Sequence, residues 1–205
     1  MSIFDPVYRQ EHVSGQIARM LFGIGQAVKH MLWDKSKLEH LTPAQIQVLL
    51  YLNFVRADAA TVNTIAKFLA CTPATVSGIL DVLQSKKLIQ RKKKSEDRRK
   101  VHINLTPKGT RAVEVVQDVG NEIEELVTEF TQEEQELLGK LLVKMSKKLI
   151  SRGYIVNTDI CSNCAFFNAD KIPGSEKPHF CEYLNLCLSE TETGKECPDF
   201  REILN

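Results

Sequence analysis

The chain is 205 residues long, 43% hydrophobic and nearly neutral, with a formal charge of +1, which suits one large globular domain or a domain with a small appendage. No apolar run approaches the ~18 residues needed to span a bilayer. The opening MSIFDPVYRQEH also lacks a basic segment followed by an apolar one, so a cytoplasmic protein with no membrane partner and no secretory signal is expected.

From Val13 onward, Ile17, Met20, Leu21, Ile24, Val28 and Met31 recur at three- and four-residue steps, predicting a long amphipathic helix. Thr42-Pro43-Ala44-Gln45 predicts a sharp second start, with Thr42 as cap, Pro43 at the first helical position and Gln45 closing a capping box. Ile46, Leu49, Leu50 and Leu52 then face inward. Thr61 opens a third helix with Ile65, Phe68 and Leu69 on its apolar face, and Ala70-Cys71 makes a brief turn. Thr72-Pro73 repeats the cap-and-proline start, and Val76, Ile79, Leu80 and Leu83 share one face of the fourth helix. Two short helices joined by a short turn form a helix-turn-helix pattern.

The period then changes. Leu88-Ile89-Gln90-Arg91 enters a basic run, after which Val101, Ile103 and Leu105 alternate with Lys100, His102 and Asn104. A period of two predicts a strand with one packed face, hence a β-hairpin wing whose charged tip is Lys93 to Arg98. Between Lys86 and Lys100 the charge is +7, leaving −6 for the rest of the chain. A basic stripe on an acidic body directs one face at phosphates and repels them elsewhere.

Thr106-Pro107 caps a further helix running to about Phe130, with Ala112, Val115, Val116, Val119, Ile123 and Leu126 or Val127 on one face. Thr131 to Glu134 is another capping box, opening a helix with Leu137, Leu138, Leu141, Leu142, Met145 and Leu149, and Arg152-Gly153 reads as its C-cap. The first helix and these last two have more apolar face than residues 42–106 can cover. A helical homodimer interface built from both ends of the domain is therefore expected.

The order of elements and several motifs resemble the MarR family over about residues 10–152. Asp97-Arg98-Arg99-Lys100, the alternating strand and Leu105-Thr106-Pro107-Lys108-Gly109 match that family's wing signature, and Thr75-Val76-Ser77 with Leu80-Asp81 and Leu83 matches its recognition helix. The resemblance implies a mainly α, winged helix-turn-helix fold with long terminal dimerisation helices. It also implies binding of double-stranded DNA at a pseudo-palindromic operator, with half-site centres about one helical turn apart. The fourth helix would enter the major groove with Thr72 at its N-terminus and Thr75 and Ser77 facing bases or phosphates. Lys92, Lys93 and Lys94 would meet phosphates. Arg98 or Arg99 would reach the minor groove, with Asp97 holding Arg99. Two positions depart from the family. Gly78 stands where a long polar residue is common, and Cys71 replaces an aliphatic residue and is expected to be a buried structural thiol. The family's usual trigger, a small aromatic effector, would enter a cleft near His30, Trp33 and Phe54.

Residues 154–205 read as a separate module following a domain of residues 1–153. Five of the six cysteines lie here: Cys161 and Cys164 as a CxxC pair, Cys181 after sixteen intervening residues, then Cys187, then Cys197 in Cys197-Pro198-Asp199-Phe200. The segment has too few aliphatics to fold without a staple, and clustered cysteines in a reducing compartment point to metal. Cys161, Cys164, Cys181 and Cys197 are the expected ligands, Cys187 a possible substitute and His179 an outside candidate. One close-spaced knuckle with scattered partners, together with the Cys-Pro-Asp-Phe ending, resembles small modules similar to high-potential iron–sulfur proteins. A [4Fe–4S] cluster is expected, with structural Zn²⁺ as the alternative. The corresponding function is regulation of operator binding by redox state or oxygen. A regulator with a zinc staple and a small-molecule effector is the second reading, and a CxxC redox enzyme the third. No dinucleotide fingerprint or catalytic constellation accompanies the CxxC pair, so no enzyme is expected.

Overall fold

A computed structural model describes residues 2–38, 40–93 and 101–203. Local capping chemistry explains most of the helix starts. Asp5 accepts from Val7 N and begins α1 (Pro6–Glu11), a short helix not anticipated by the periodicity, which is followed by α2 (Val13–Leu38). Thr42 caps α3 (Pro43–Phe54) in a full capping box with Gln45, and Thr61 caps α4 (Val62–Phe68) in a box with Thr64. Thr72 caps α5 (Pro73–Ser85), and Thr106 caps α6 (Pro107–Thr128). Thr131 closes a box with Glu134 at the head of α7 (Gln132–Ser151). Each hydroxyl satisfies an amide that the first helical turn leaves unpaired.

The α4 and α5 axes bend by 108° across their turn, within the range of a helix-turn-helix. Ala70 adopts φ 50° there, and Cys71 N donates to Ala66 O at 3.0 Å. Strands β1 (Ile89–Lys93) and β2 (Val101–Leu105) pair antiparallel, with Ile89 opposite Leu105 and Lys92 opposite His102. The chain is thus mainly helical with a two-stranded wing. Among the described residues no single helix is long and apolar enough to cross a membrane.

The main core gathers Ile46, Leu49, Ile65, Val76, Leu80 and Ile103, with Val113 and Val116 from α6. The strand expectation needs one correction. His102, assigned to the outward face, is only 8% exposed, because its Nδ1 bonds Ala57 O at 3.1 Å. Phe68 is also less buried than its position suggested, at 41% exposure, and it packs against the Tyr51 ring at a centroid distance of 4.7 Å. Cys71 is half-buried and packs against the core edge rather than inside it.

Helix α7 ends in a Schellman arrangement. Gly153 takes φ 77°, and Tyr154 N donates to Leu149 O at 2.9 Å. Beyond it lie three short strands, β3 (Phe167–Asn168), β4 (His179–Cys181) and β5 (Leu186–Leu188), in the order β3-β4-β5, then a single turn, α8 (Glu190–Thr193). Cys161, Cys181 and Leu188 form a second buried cluster, with Phe166, Phe167, Leu184 and Leu186 against it. This cluster is small, and two of its three buried members are cysteines.

Candidate nucleic-acid interface and cysteine cavity

The first half of α5 presents Thr72, Ala74, Thr75 and Gly78 to solvent, with Ser77 half-covered. Thr72 Oγ1 accepts from Thr75 N at 3.1 Å and lies 2.9 Å from Thr75 Oγ1, while Ser77 Oγ donates to Pro73 O at 2.9 Å. The hydroxyls are held close to the helix and keep acceptor lone pairs facing out. Arg91 on β1 donates to Asp81 Oδ1 at 2.7 Å. That arginine of the basic run therefore ties the wing to α5. Lys92 is exposed on β1, and Lys93 ends the strand opposite Val101. Lys94, Asp97, Arg98 and Arg99 lie outside the described residues.

Nothing in the fold requires glycine at position 78, since a Cβ built there meets no atom within 4 Å. Gly78→Ala is expected to raise stability by about 0.5–1 kcal/mol through helix propensity alone. A thermal melt showing no gain would mean that this helix surface is not free in solution.

The four expected ligand cysteines converge on one place. Cys161, Cys164, Cys181 and Cys197 line a single narrow cavity, walled also by Phe166, Phe167, Tyr183, Leu184, Arg56 and Asp199. Cys161 and Cys164 arrive on a 3-10 turn (Cys161–Asn163), where Cys164 N donates to Cys161 O at 2.9 Å. Cys181 ends β4, and Cys197 is placed by its own N–H donating to Asp159 O at 3.0 Å. Cys187 sits on β5 opposite Phe180 and is not among the lining residues. His179 is directed elsewhere: its Nδ1 accepts from Asp170 N at 3.2 Å, and Nε2 lies 2.9 Å from a Glu190 oxygen. Among the described residues, no three His, Cys, Asp or Glu side chains are arranged to hold a metal ion.

Burial pushes the Cys197 thiol up to about 11 and raises Cys161 as well, although the Arg56 guanidinium pulls both partway back. A catalytic CxxC needs the opposite, a thiol shifted toward thiolate.

Arg56 is the residue that sequence reasoning missed. Its signal was an Arg-x-Asp pair inside the otherwise apolar Val55-Arg56-Ala57-Asp58-Ala59-Ala60. The segment carrying Cys197 is seated on the same place. Lys195 Nζ donates to Asn53 O at 2.7 Å, Glu196 N to Phe54 O at 2.9 Å, and Arg56 N to Glu196 O at 3.1 Å. These bonds satisfy backbone groups at the end of α3. Lys147 on α7 adds an ion pair with Glu202 at 2.7 Å.

A bent helix pair, a hairpin packed beside its second helix and long flanking helices together define a winged helix-turn-helix protein. Residues 41–101 match the model of the MarR family. Among curated relatives, the HTH-type transcriptional repressor YetL of Bacillus subtilis is 25% identical over 130 residues, covering 63% of this chain and 78% of its own. The uncharacterized HTH-type transcriptional regulator YsmB of the same organism is 29% identical over 141 residues, covering 68% and 94%. The S. aureus MepR–DNA complex matches at 34% identity with a TM-score of 0.57, covering 64% of this chain and 97% of that one. S. aureus MepR in its DNA-binding conformation gives 34%, 0.57, 65% and 98%. The chain belongs to the MarR family of transcriptional regulators and is not an enzyme.

Proposed function

We propose that this chain is a cytoplasmic, homodimeric, DNA-binding regulator whose residues 154–205 form a module holding a [4Fe–4S] cluster on Cys161, Cys164, Cys181 and Cys197, and that operator binding responds to that cluster. The observation carrying the cofactor is that four cysteines from three separate stretches line one cavity. One close-spaced CxxC pair with two widely scattered partners suits a four-cysteine cluster. Such a group supplies one-electron chemistry and sensitivity to oxidants. The chain's part is to enclose it behind Phe166, Phe167 and Tyr183, and to tie it to α3.

DNA binding rests on the exposed N-terminal half of α5, on the wing beside it, and on the similarity to a protein solved with DNA. Dimerisation rests on apolar side chains that a lone chain leaves in solvent, among them Ile24 on α2 and Leu137, Leu141 and Val143 on α7.

The test begins with anaerobic purification and assay of iron, acid-labile sulfide and zinc per chain. Iron and sulfide in equal amounts with a brown chromophore support the cluster. Stoichiometric zinc without colour would overturn it and move the search for an effector to the helices around Trp33 and Phe54. Duplex DNA affinity is expected to fall at least about 100-fold between about 50 and about 200 mM salt, as Lys and Arg contacts to phosphates require. A flat salt response in a binding titration would count against the interface.

A further inference from the structure

Arg56 follows the last turn of α3 and is 1% exposed. Its Nε and Nη2 donate to the two carboxylate oxygens of Asp58, each at 2.9 Å. The third nitrogen, Nη1, is buried and has no hydrogen-bond partner among the described residues, while the side chain lines the cysteine cavity. A buried cation with an idle donor is costly unless something anionic completes it. Asp58 answers one edge of the guanidinium only. Neutral thiols are weak acceptors for the other edge, whereas four thiolates around an iron–sulfur core form a net anion with sulfur acceptors.

The same residue sits at the joint between the cavity and the DNA-facing hairpin. Its carbonyl accepts from Ala59 N at 3.0 Å, closing the 3-10 turn Ala57–Ala59. That turn holds β2 directly: His102 Nδ1 bonds Ala57 O at 3.1 Å, and Ile103 N donates to Ala60 O at 2.9 Å. His102 and Ile103 are paired with Lys92 and Arg91 of β1, and Arg91 is bonded to Asp81 of α5. One short turn therefore separates the cavity wall from both elements that face DNA.

We infer that Arg56 is a positioning residue that completes the charge of the cysteine site from the winged-domain side, and that the Arg56–Asp58 turn carries the state of that site to β2. Loading the cavity with an anion engages Nη1 and holds the guanidinium and its turn in place. Emptying it leaves a buried cation with half its partners, which favours movement of the turn and with it the wing. This inference rests on the cluster reading above. It adds a route that does not pass through the dimer helices.

The test uses full-length protein, reconstituted anaerobically with ferrous iron and sulfide, as wild type, Arg56→Gln, Arg56→Lys and Asp58→Asn. Three quantities are read: iron and sulfide content, the midpoint potential of the bound centre, and affinity for a pseudo-palindromic duplex selected from a random pool, with and without the cluster at one salt concentration. In wild type, loading changes affinity by about 5–150-fold, the usual span of coupling between sites. Arg56→Gln shifts the potential negative, because the added electron loses a nearby positive charge, and its loaded-to-free affinity ratio collapses toward one. Arg56→Lys keeps the potential close to wild type but loses much of the ratio, since an ammonium cannot hold Asp58 in two places. Asp58→Asn loads normally and also loses ratio.

A loaded Arg56→Gln protein with wild-type potential and wild-type ratio overturns the inference and leaves the cluster standing. If Arg56→Gln fails to fold, unchanged ratios in both Arg56→Lys and Asp58→Asn overturn it instead. A wild-type protein that takes up no iron and sulfide removes the cluster reading and this inference together.

Discussion

Replacing Gly109 with alanine is expected to destabilise the protein by roughly 2–4 kcal/mol, read as a fall of about 5–15 °C in Tm for a chain of this size. The cause is a single close approach. A Cβ at position 109 would lie 2.1 Å from the Leu88 carbonyl oxygen and 3.2 Å from Leu105 Cδ2. The carbonyl is fixed. Leu88 O already accepts from Thr106 N at 3.0 Å, and Gly109 N donates to Thr106 Oγ1 at 3.1 Å as part of the α6 cap. Relieving the clash means lifting the first turn of α6 off the entry to β1, breaking the cap and opening the packing of Ala112 and Val113. Helix propensity alone would make the same substitution favourable by about 1 kcal/mol. The sign of the melt therefore separates the two effects, and a rise in Tm would show that α6 is free to move. Gly78→Ala is the matched control, because there the same change meets open space.

The second large effect follows from the proposed cluster and is read as metal content. Serine in place of Cys161, Cys164, Cys181 or Cys197 is expected to cut retained iron and sulfide by more than the roughly 10–100-fold that loss of an outer-shell partner costs. Cys187→Ser should load like wild type, because Cys187 is paired across the β4–β5 ladder from Phe180 and takes no part in the cavity wall. Metal analysis of the five variants decides the ligand set. Full loading of any one of the four, or loss in Cys187→Ser, would require a different set. A second readout is the thermal stability of residues 154–205, whose small core contains Cys161 and Cys181. Hydrogen exchange in that segment should rise when the metal is removed, as expected where binding energy supplies folding energy.

Much of the winged domain is legible in the chain because the signals are local. Thr42, Thr61, Thr72, Thr106 and Thr131 each cap a helix through an amide three residues ahead, a contact set by the backbone turn itself. The 3.6-residue spacing of Val76, Leu80 and Leu83 likewise fixes which side of α5 is buried. Where a neighbour distant in sequence intervenes, the pattern misleads. His102 alternates as an outward residue, yet it is buried because Ala57, 45 positions earlier, offers a carbonyl. Arg91 reads as one more phosphate-seeking cation, yet Asp81 claims it.

The cysteine module shows the division most clearly. Composition and the Cys161–Cys164 spacing set residues 154–205 apart as a cysteine-rich segment and pointed to four of its cysteines, since few aliphatics cannot build a core. That those four share one cavity while Cys187 faces away was decided by strand register and by the Asp159–Cys197 backbone bond. The cavity's outer wall was decided farther away still, by an arginine more than 100 positions upstream. Its burial is set by the docking of residues 195–197 onto the end of α3. By itself the sequence determined helices, caps, the family and the inventory of cysteines, because those depend on neighbours within a turn or two. The tertiary structure alone decided which charge meets which cysteine, because the energy of a buried cation depends on the few atoms packed around it, wherever they lie in the chain.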